Sequence, residues 1–235
     1  FFMGIGAKSG GFRASLVTAA VLTGFILLGV LATLLSSLLL SKTILKGMPS
    51  SFTLELPPYR KPQIGKVIVR SIFDRTLFVL GRAIVVAAPA GLIIWLMANI
   101  DIGGVSILTH FSSFLDPLAN LMGLDGVILT AFILGFPANE IVIPIIIMAY
   151  TAQGSILELD SLSQMRELFV SNGWTWITAI STMLFSLMHW PCSTTLLTIK
   201  KETGSLKWTA LAAALPTVTG MIICILFTFI ARLFG

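Results

Sequence analysis

Four long stretches of this chain carry no Asp, Glu, Lys or Arg: Arg13 to Lys42, Arg82 to Asp101, Glu167 to Lys200 and Lys207 to Arg232. A helix needs roughly 20 apolar residues to cross a hydrocarbon core. Runs of that kind exclude an ordinary soluble domain, in which about a quarter of residues are charged. Here the figure is 11%, with 56% hydrophobic. The fold class expected is all-α: a polytopic helical membrane protein with broken or re-entrant helices, residues 1–235 forming one transmembrane domain. The partners implied are the lipid bilayer and no nucleic acid, because the net charge of +5 sits almost wholly in one loop.

That loop covers residues 42–82. It holds Lys42, Lys46, Arg60, Lys61, Lys66, Arg70, Arg75 and Arg82 against Glu55 and Asp74, which the positive-inside rule places in the cytoplasm. Prolines 57, 58 and 62 favour an extended run there. From Lys66 to Leu80 the pattern becomes amphipathic and predicts a helix on the cytoplasmic interface. Spans are expected at about 14–40, 83–100 (kinked at Pro89) and 208–230. Residues 101–125 carry Asp101, Asp116 and Asp125 without a Lys or Arg and fit the outside. Within them "GGVSILTHFSSFLDPLANLMG" suggests a short interfacial or re-entrant helix, with His110 as an interfacial or packing residue. Cys224 in "GMIICILF" reads as a small core residue.

Two segments are interrupted. In "LGFPANEIVIPIIIMAY", Pro137 and Pro144 bracket Asn139 and Glu140. A carboxylate inside the membrane is expensive and usually marks a pathway. The bland alternative is a neutral, hydrogen-bonded Glu140, or one paired with Arg13 or Lys8. Each proline removes a backbone donor: Pro144 would free the carbonyl of Glu140 itself, and Pro137 would do the same near Ile133. Lipid cannot satisfy such carbonyls, so residues 126–150 would line protein or water as a gate segment. The second interruption is "HWPCSTT", inside the Pro-Cys segment 174–199. Pro191 can start a new helix, placing Cys192 near a helix N-terminus, where thiolate is favoured. His189 lies three residues away. Ser193, Thr194 and Thr195 are secondary pathway candidates. A plain proline kink with a packed Cys and a belt His-Trp pair explains this segment equally well. Taken together, Glu140, Asn139, Cys192 and His189 offer carboxylate, amide oxygen, thiolate and imidazole. That donor set suits a borderline transition metal.

Counting crossings produces a conflict. If every apolar segment crosses once, "KKETGSLKW" lands outside, yet its three lysines favour the inside. A segment that enters and leaves by one face would resolve it. Residues 126–150 fit: two arms of about ten residues each reach about 15 Å, half the membrane.

"LELPPYRKP", "GRAIVVAAPAGLIIWLMANI", the broken acidic segment and "HWPCSTTLLTIKKETGSLKW", in this order, resemble the ferrous iron transport protein B (FeoB) family. The resemblance implies the C-terminal part of its transmembrane region, with the second of two gate motifs, in a multi-pass inner (plasma) membrane protein carrying Fe(II). It also implies that the chain is a piece of a longer protein. Its further partners would be a GTPase domain of the same full-length protein and a homo-oligomer. GTP and Mg are expected only in that N-terminal domain: "GIGAKSGG" has Ala7 where a P-loop needs glycine. Many relatives resemble "GFIAKE" where this chain reads "GFPANE", so Asn139 replaces a lysine and Glu140 lacks an adjacent counter-charge. Transport of an organic solute such as a nucleoside, and a non-transporting scaffold subunit, are the competing expectations. An enzyme is not expected, since the Cys/His pair has no legible orienting group or oxyanion donors.

Overall fold

The computed structural model describes residues 11–43, 77–151 and 162–234, together with 65, 66, 69 and 73. The basic loop and its expected interfacial helix, 42–82, fall mostly outside these residues. The architecture is all-α, apart from one two-residue hairpin.

Helix α1, Gly11–Lys42, has 32 residues and is about 48 Å long. Helix α2, Phe78–Asn99, runs unbroken through Pro89. Strands β1, Asp101–Ile102, and β2, Val105–Ser106, pair antiparallel. Gly103 and Gly104 supply the positive φ angles of their two-residue turn, the geometry that such tight hairpins require. Ser106 then caps α3, Ile107–Leu121, by accepting from the Thr109 N–H. Helix α4, Gly126–Leu134, is capped by Asp125, and α5 covers Val142–Thr151. Helix α6 is Leu162–Ser171, α7 Trp176–Met188, α8 Ser193–Thr203 and α9 Leu206–Phe234.

Among the described residues, Ser15–Lys42 and Leu206–Phe234 are each long and apolar enough to span a membrane alone. Helix α2 is apolar from Ile84 to Asn99. Helices α3 and α4 meet at 108°. If α4 enters the membrane, that angle lays α3 along its surface, as expected for residues 103–123. Its side chains alternate accordingly: Leu108, Ser112 and Ala119 are buried, while Phe114 and Leu118 are exposed.

The core lies around α4, α5 and α7, where Ile128, Phe132, Ile145, Ile146 and Phe185 are almost fully buried. Phe132 and Phe185 meet edge to face, ring centres 4.9 Å apart. Helix α9 runs antiparallel to α7: Trp176 contacts Phe227 at one end, and Gly220 faces Met188 at the other. Helix α1 is also antiparallel to α9. Val21 shares a cleft with Ile230, and Leu40 shares one with Trp208.

These pairings define two faces. One bears Asp101, Asp116, Asp125, Trp174 and the C-terminal end of α9. The other bears the end of α1 at Lys42, and Lys200 and Lys201 in the last turn of α8. Gly204, with φ of 61°, ends α8 and turns the chain into α9.

Candidate functional site

Residues 126–150 form a helical hairpin. Its arms are α4, nine residues, and α5, ten residues. The Tyr150 hydroxyl, near the end of α5, donates to the carboxylate of Asp125, the cap of α4. Laid end to end, the same 25 residues of helix would separate those groups by about 37 Å. The arms are therefore folded back, and both of their open ends lie on the aspartate face. Trp174 Nε1 donates to the same Tyr150 oxygen at 2.8 Å. Asp125 Oδ1 accepts from the Ile128 N–H at 2.6 Å, and Asp116 accepts from the Gly126 N–H at 2.7 Å. This clasp is not among the residues expected from the sequence to be functional. Its one local signal was an Asp directly before an apolar helix. Tyr150 and Trp174, each an apolar body with a polar tip, lie 24 residues apart.

At the closed end, α4 stops at Leu134 and the chain turns through Gly135 to Ala138. The Phe136 N–H reaches the Ile133 carbonyl at 3.3 Å. That carbonyl is thus satisfied, contrary to the expectation that Pro137 frees it; Pro137 ends α4 instead. Asn139 and Glu140 follow in a single 3-10 turn, Asn139–Ile141. Pro144 lies in the first turn of α5, where a missing N–H is tolerated, so it opens a helix rather than breaking one. It offers no donor to the Glu140 carbonyl. The Glu140 side chain is exposed, whereas Asn139 is half-buried. Asn139 Oδ1 is buried without a hydrogen-bond partner among the described residues.

The second interruption packs on this tip. The Ser193 N–H, first in α8, donates to the Phe136 carbonyl at 2.9 Å. The two broken segments thus meet, a carbonyl of one closing the helix N-terminus of the other. Pro191 precedes α8 by two positions, and Cys192 is the residue flanking its start. Its thiol does not cap the helix; it lies 3.1 Å from the hydroxyls of both Thr194 and Thr195. Ser193 is 6% exposed, and its hydroxyl is buried without a partner among the described residues.

His189 ends α7 and packs against Phe132, ring centres 5.0 Å apart. Its Nδ1 lies 2.9 Å from the Ser186 carbonyl. A carbonyl only accepts, so Nδ1 carries the hydrogen and Nε2 presents a lone pair. That Nε2 is buried with no partner among the described residues, the state in which imidazole serves as a metal ligand. Cys224 is fully buried, its sulfur 3.5 Å from the Ser181 carbonyl. His110 contacts the Ile102 carbonyl at 3.0 Å and ties the β-turn to α3. Among the described residues no three of the His, Cys, Asp and Glu side chains come together as a ready metal cage. Chemically the tip and the Pro-Cys break are two adjoining sets of lone pairs, one of oxygen and one of nitrogen and sulfur.

Residues 80–206 match the family model Gate, described as nucleoside recognition. Residues 17–74 match FeoB_C, ferrous iron transport protein B C terminus. The chain is 30% identical over 221 residues to the Fe(2+) transporter FeoB of Staphylococcus aureus (strain COL), covering 91% of this chain and 32% of that protein. It is 30% identical over 179 residues to the Fe(2+) transporter FeoB of Synechocystis sp., covering 75% of this chain and 28% of that one. For the Fe(2+) transporter FeoB of Leptospira interrogans (strain Fiocruz L1-130) the identity is 27% over 217 residues, covering 82% and 30%. The chain spans about a third of the length of these relatives. No solved structure matches it significantly.

Proposed function

This chain belongs to the Gate family, in the form found at the C-terminal membrane region of ferrous iron transport protein B, and from that premise we propose that it conducts Fe(II) across the plasma membrane as part of a longer permease. The observation that carries this reading is the bond from the Ser193 N–H to the Phe136 carbonyl, which joins the two interrupted segments. Transporters place ion sites at discontinuous helices near mid-membrane, where backbone and side-chain lone pairs replace water. Asn139 and Glu140 form one station at the hairpin tip. Cys192 and His189 form the next, with Ser193, Thr194 and Thr195 alongside. Imidazole and thiolate favour Fe(II) over Mg(II) or Ca(II), which take oxygen shells. A GTPase domain elsewhere in the full-length protein and assembly into a homo-oligomer complete the proposal. The role is transport rather than catalysis.

In the complete polypeptide, Cys192→Ser and Glu140→Ala should each abolish Fe(II) uptake by whole cells while membrane abundance is unchanged. Wild-type uptake in both variants would sink the assignment of these sites.

The description of the Gate model favours a second reading, a permease for a nucleoside-like solute. Labelling of Cys192 by a thiol reagent separates the two. Fe(II) should protect the thiol if it is a metal station, and a nucleoside should protect it under the second reading.

A further inference from the structure

The first arm of the hairpin meets the Pro-Cys break at two points in matching register. Phe132, in α4, packs its ring on the His189 imidazole, ring centres 5.0 Å apart and planes tilted by 59°. One helical turn further on, the Phe136 carbonyl accepts from the Ser193 N–H at 2.9 Å, and Ser193 stands at the same spacing after His189. We propose that Phe132 is a positioning residue for metal binding: it fixes the His189 ring so that the Nε2 lone pair stays dry and available to a divalent transition metal. This role rests on the reading of His189 as a metal station, which it deepens.

The restraints on this imidazole divide into local and distant ones. Locally, its Nδ1 lies 2.9 Å from the Ser186 carbonyl, which settles the tautomer, and its backbone N–H donates to the Phe185 carbonyl at 2.8 Å. The rings of Phe185 and Trp190 lie 6.0 and 5.8 Å away, centre to centre. All of these groups come from His189's own stretch of chain and travel with the end of α7. A single hydrogen bond at Nδ1 still lets the ring tilt about it. Phe132 comes from another element, and its ring is the nearest of the three. It is 2% exposed and braced edge to face on Phe185, ring centres 4.9 Å apart. The Ser186 carbonyl thus selects the free nitrogen, and Phe132 keeps that nitrogen in place.

The consequence lies in hydration. His189 Nε2 is buried and has no partner among the described residues. An acceptor cut off from water and from donors gains more from a new ligand than one already hydrogen-bonded. Without the Phe132 ring the imidazole could tilt and water could reach Nε2, and a metal would have to displace that water. Metal-binding histidines depend on such outer groups, whose loss weakens metal affinity by about 10–100-fold. Phe132 carries no ligating atom of its own. Its influence on a metal therefore passes through His189, and the Phe136–Ser193 bond one turn away keeps α4 in the register that this contact needs.

The test is Co(II) titration of the complete polypeptide in phosphatidylcholine nanodiscs, read by visible absorption. Four proteins are compared: wild type, Phe132→Leu, His189→Ala and the double variant. Phe132→Leu should weaken Co(II) binding about tenfold, and His189→Ala should weaken it further. Added to His189→Ala, Phe132→Leu should change nothing more, because the two residues act as one unit. A plain packing residue would give the same loss in both backgrounds. That result, or wild-type affinity in Phe132→Leu, would overturn the positioning role. Should the leucine variant fail to fold, Phe132→Met, closer to the ring in volume, gives the same comparison. Co(II) binding by His189→Ala equal to that of wild type would remove the metal station and the positioning role together, whereas a loss in His189→Ala without one in Phe132→Leu strikes the positioning role alone.

Discussion

At Tyr150 one hydroxyl sits between a carboxylate and an indole. It donates to Asp125 and accepts from Trp174, so three elements (the cap of α4, the end of α5 and the start of α7) share a single oxygen. Burial makes such a group consequential. Removing one partner of a buried hydrogen bond costs about 1–3 kcal/mol, because the groups left behind lose their water as well. Tyr150→Phe keeps the ring and its contact with Phe169 but strands both partners. It should lower the thermal unfolding midpoint of the purified protein by several degrees, because the Asp125 carboxylate and the Trp174 indole each lose their Tyr150 partner. Equal midpoints for wild type and Tyr150→Phe would show that the clasp does not bear on stability. Nothing in the local sequence announced this oxygen. Asp125 was legible as a charge outside the membrane and Trp174 as the start of the uncharged Pro-Cys segment. Their union depends on the chain folding back, which only tertiary structure supplies. His189 and Cys192 were legible as residue types. The pinning of Nδ1 by Ser186 and the threonine hydroxyls around the thiol were not.

At the scale of the element, the hairpin was legible for a reason that had nothing to do with its own residues. Three lysines after Ile199 conflicted with a simple count of crossings, and an arm length of about 15 Å offered the way out. The clasp at one end and the turn at the other give that hairpin its form. Its turn depends on closeness. A Cβ on Gly135 would stand 2.5 Å from Val142 Cγ2 and 2.9 Å from the Ala131 carbonyl. Neither neighbour is free to yield, one being a buried side chain at the start of α5 and the other the backbone of α4. Gly135→Ala should therefore push the arms apart at the tip and disturb the bond between Phe136 and Ser193. The expected outcome is Fe(II) uptake reduced at least tenfold at equal membrane abundance, with Cys192 labelled faster by a thiol reagent. Normal uptake with unchanged labelling would mean that the tip tolerates the methyl group without moving. The elements that escaped the sequence reading are short. The turn at 101–106 is two residues per strand, too brief for a periodic pattern, although Gly103-Gly104 is a recognised hairpin signal. Pro89 lies inside α2, within the span expected at 83–100.

For the whole molecule, the two faces follow from one arrangement. Helix α1 descends from the aspartate face to Lys42, and α2 returns to Asn99. The hairpin leaves and regains that same face. Helices α7 and α8 descend together across the Pro191 break to Lys200 and Lys201, and α9 climbs back. The lysines of residues 200–207 thus lie on the face where α1 ends and the basic loop begins, as the distribution of positive charge requires. Had the hairpin crossed, those lysines would have lain opposite the basic loop. The arrangement is directly testable in the complete polypeptide. Cysteines placed singly at Ser205, which is half-buried, and Asn172, which is exposed, should label from opposite sides of the membrane. A membrane-impermeant reagent applied to intact cells should reach Asn172→Cys and not Ser205→Cys, and in inverted vesicles the pattern should reverse. The reversed pattern, Ser205→Cys reached in intact cells and Asn172→Cys not, would require residues 126–150 to cross the membrane. A crossing would pull apart the Asp125–Tyr150 bond, and with it the geometry that brings Phe136 onto Ser193 at the candidate gate.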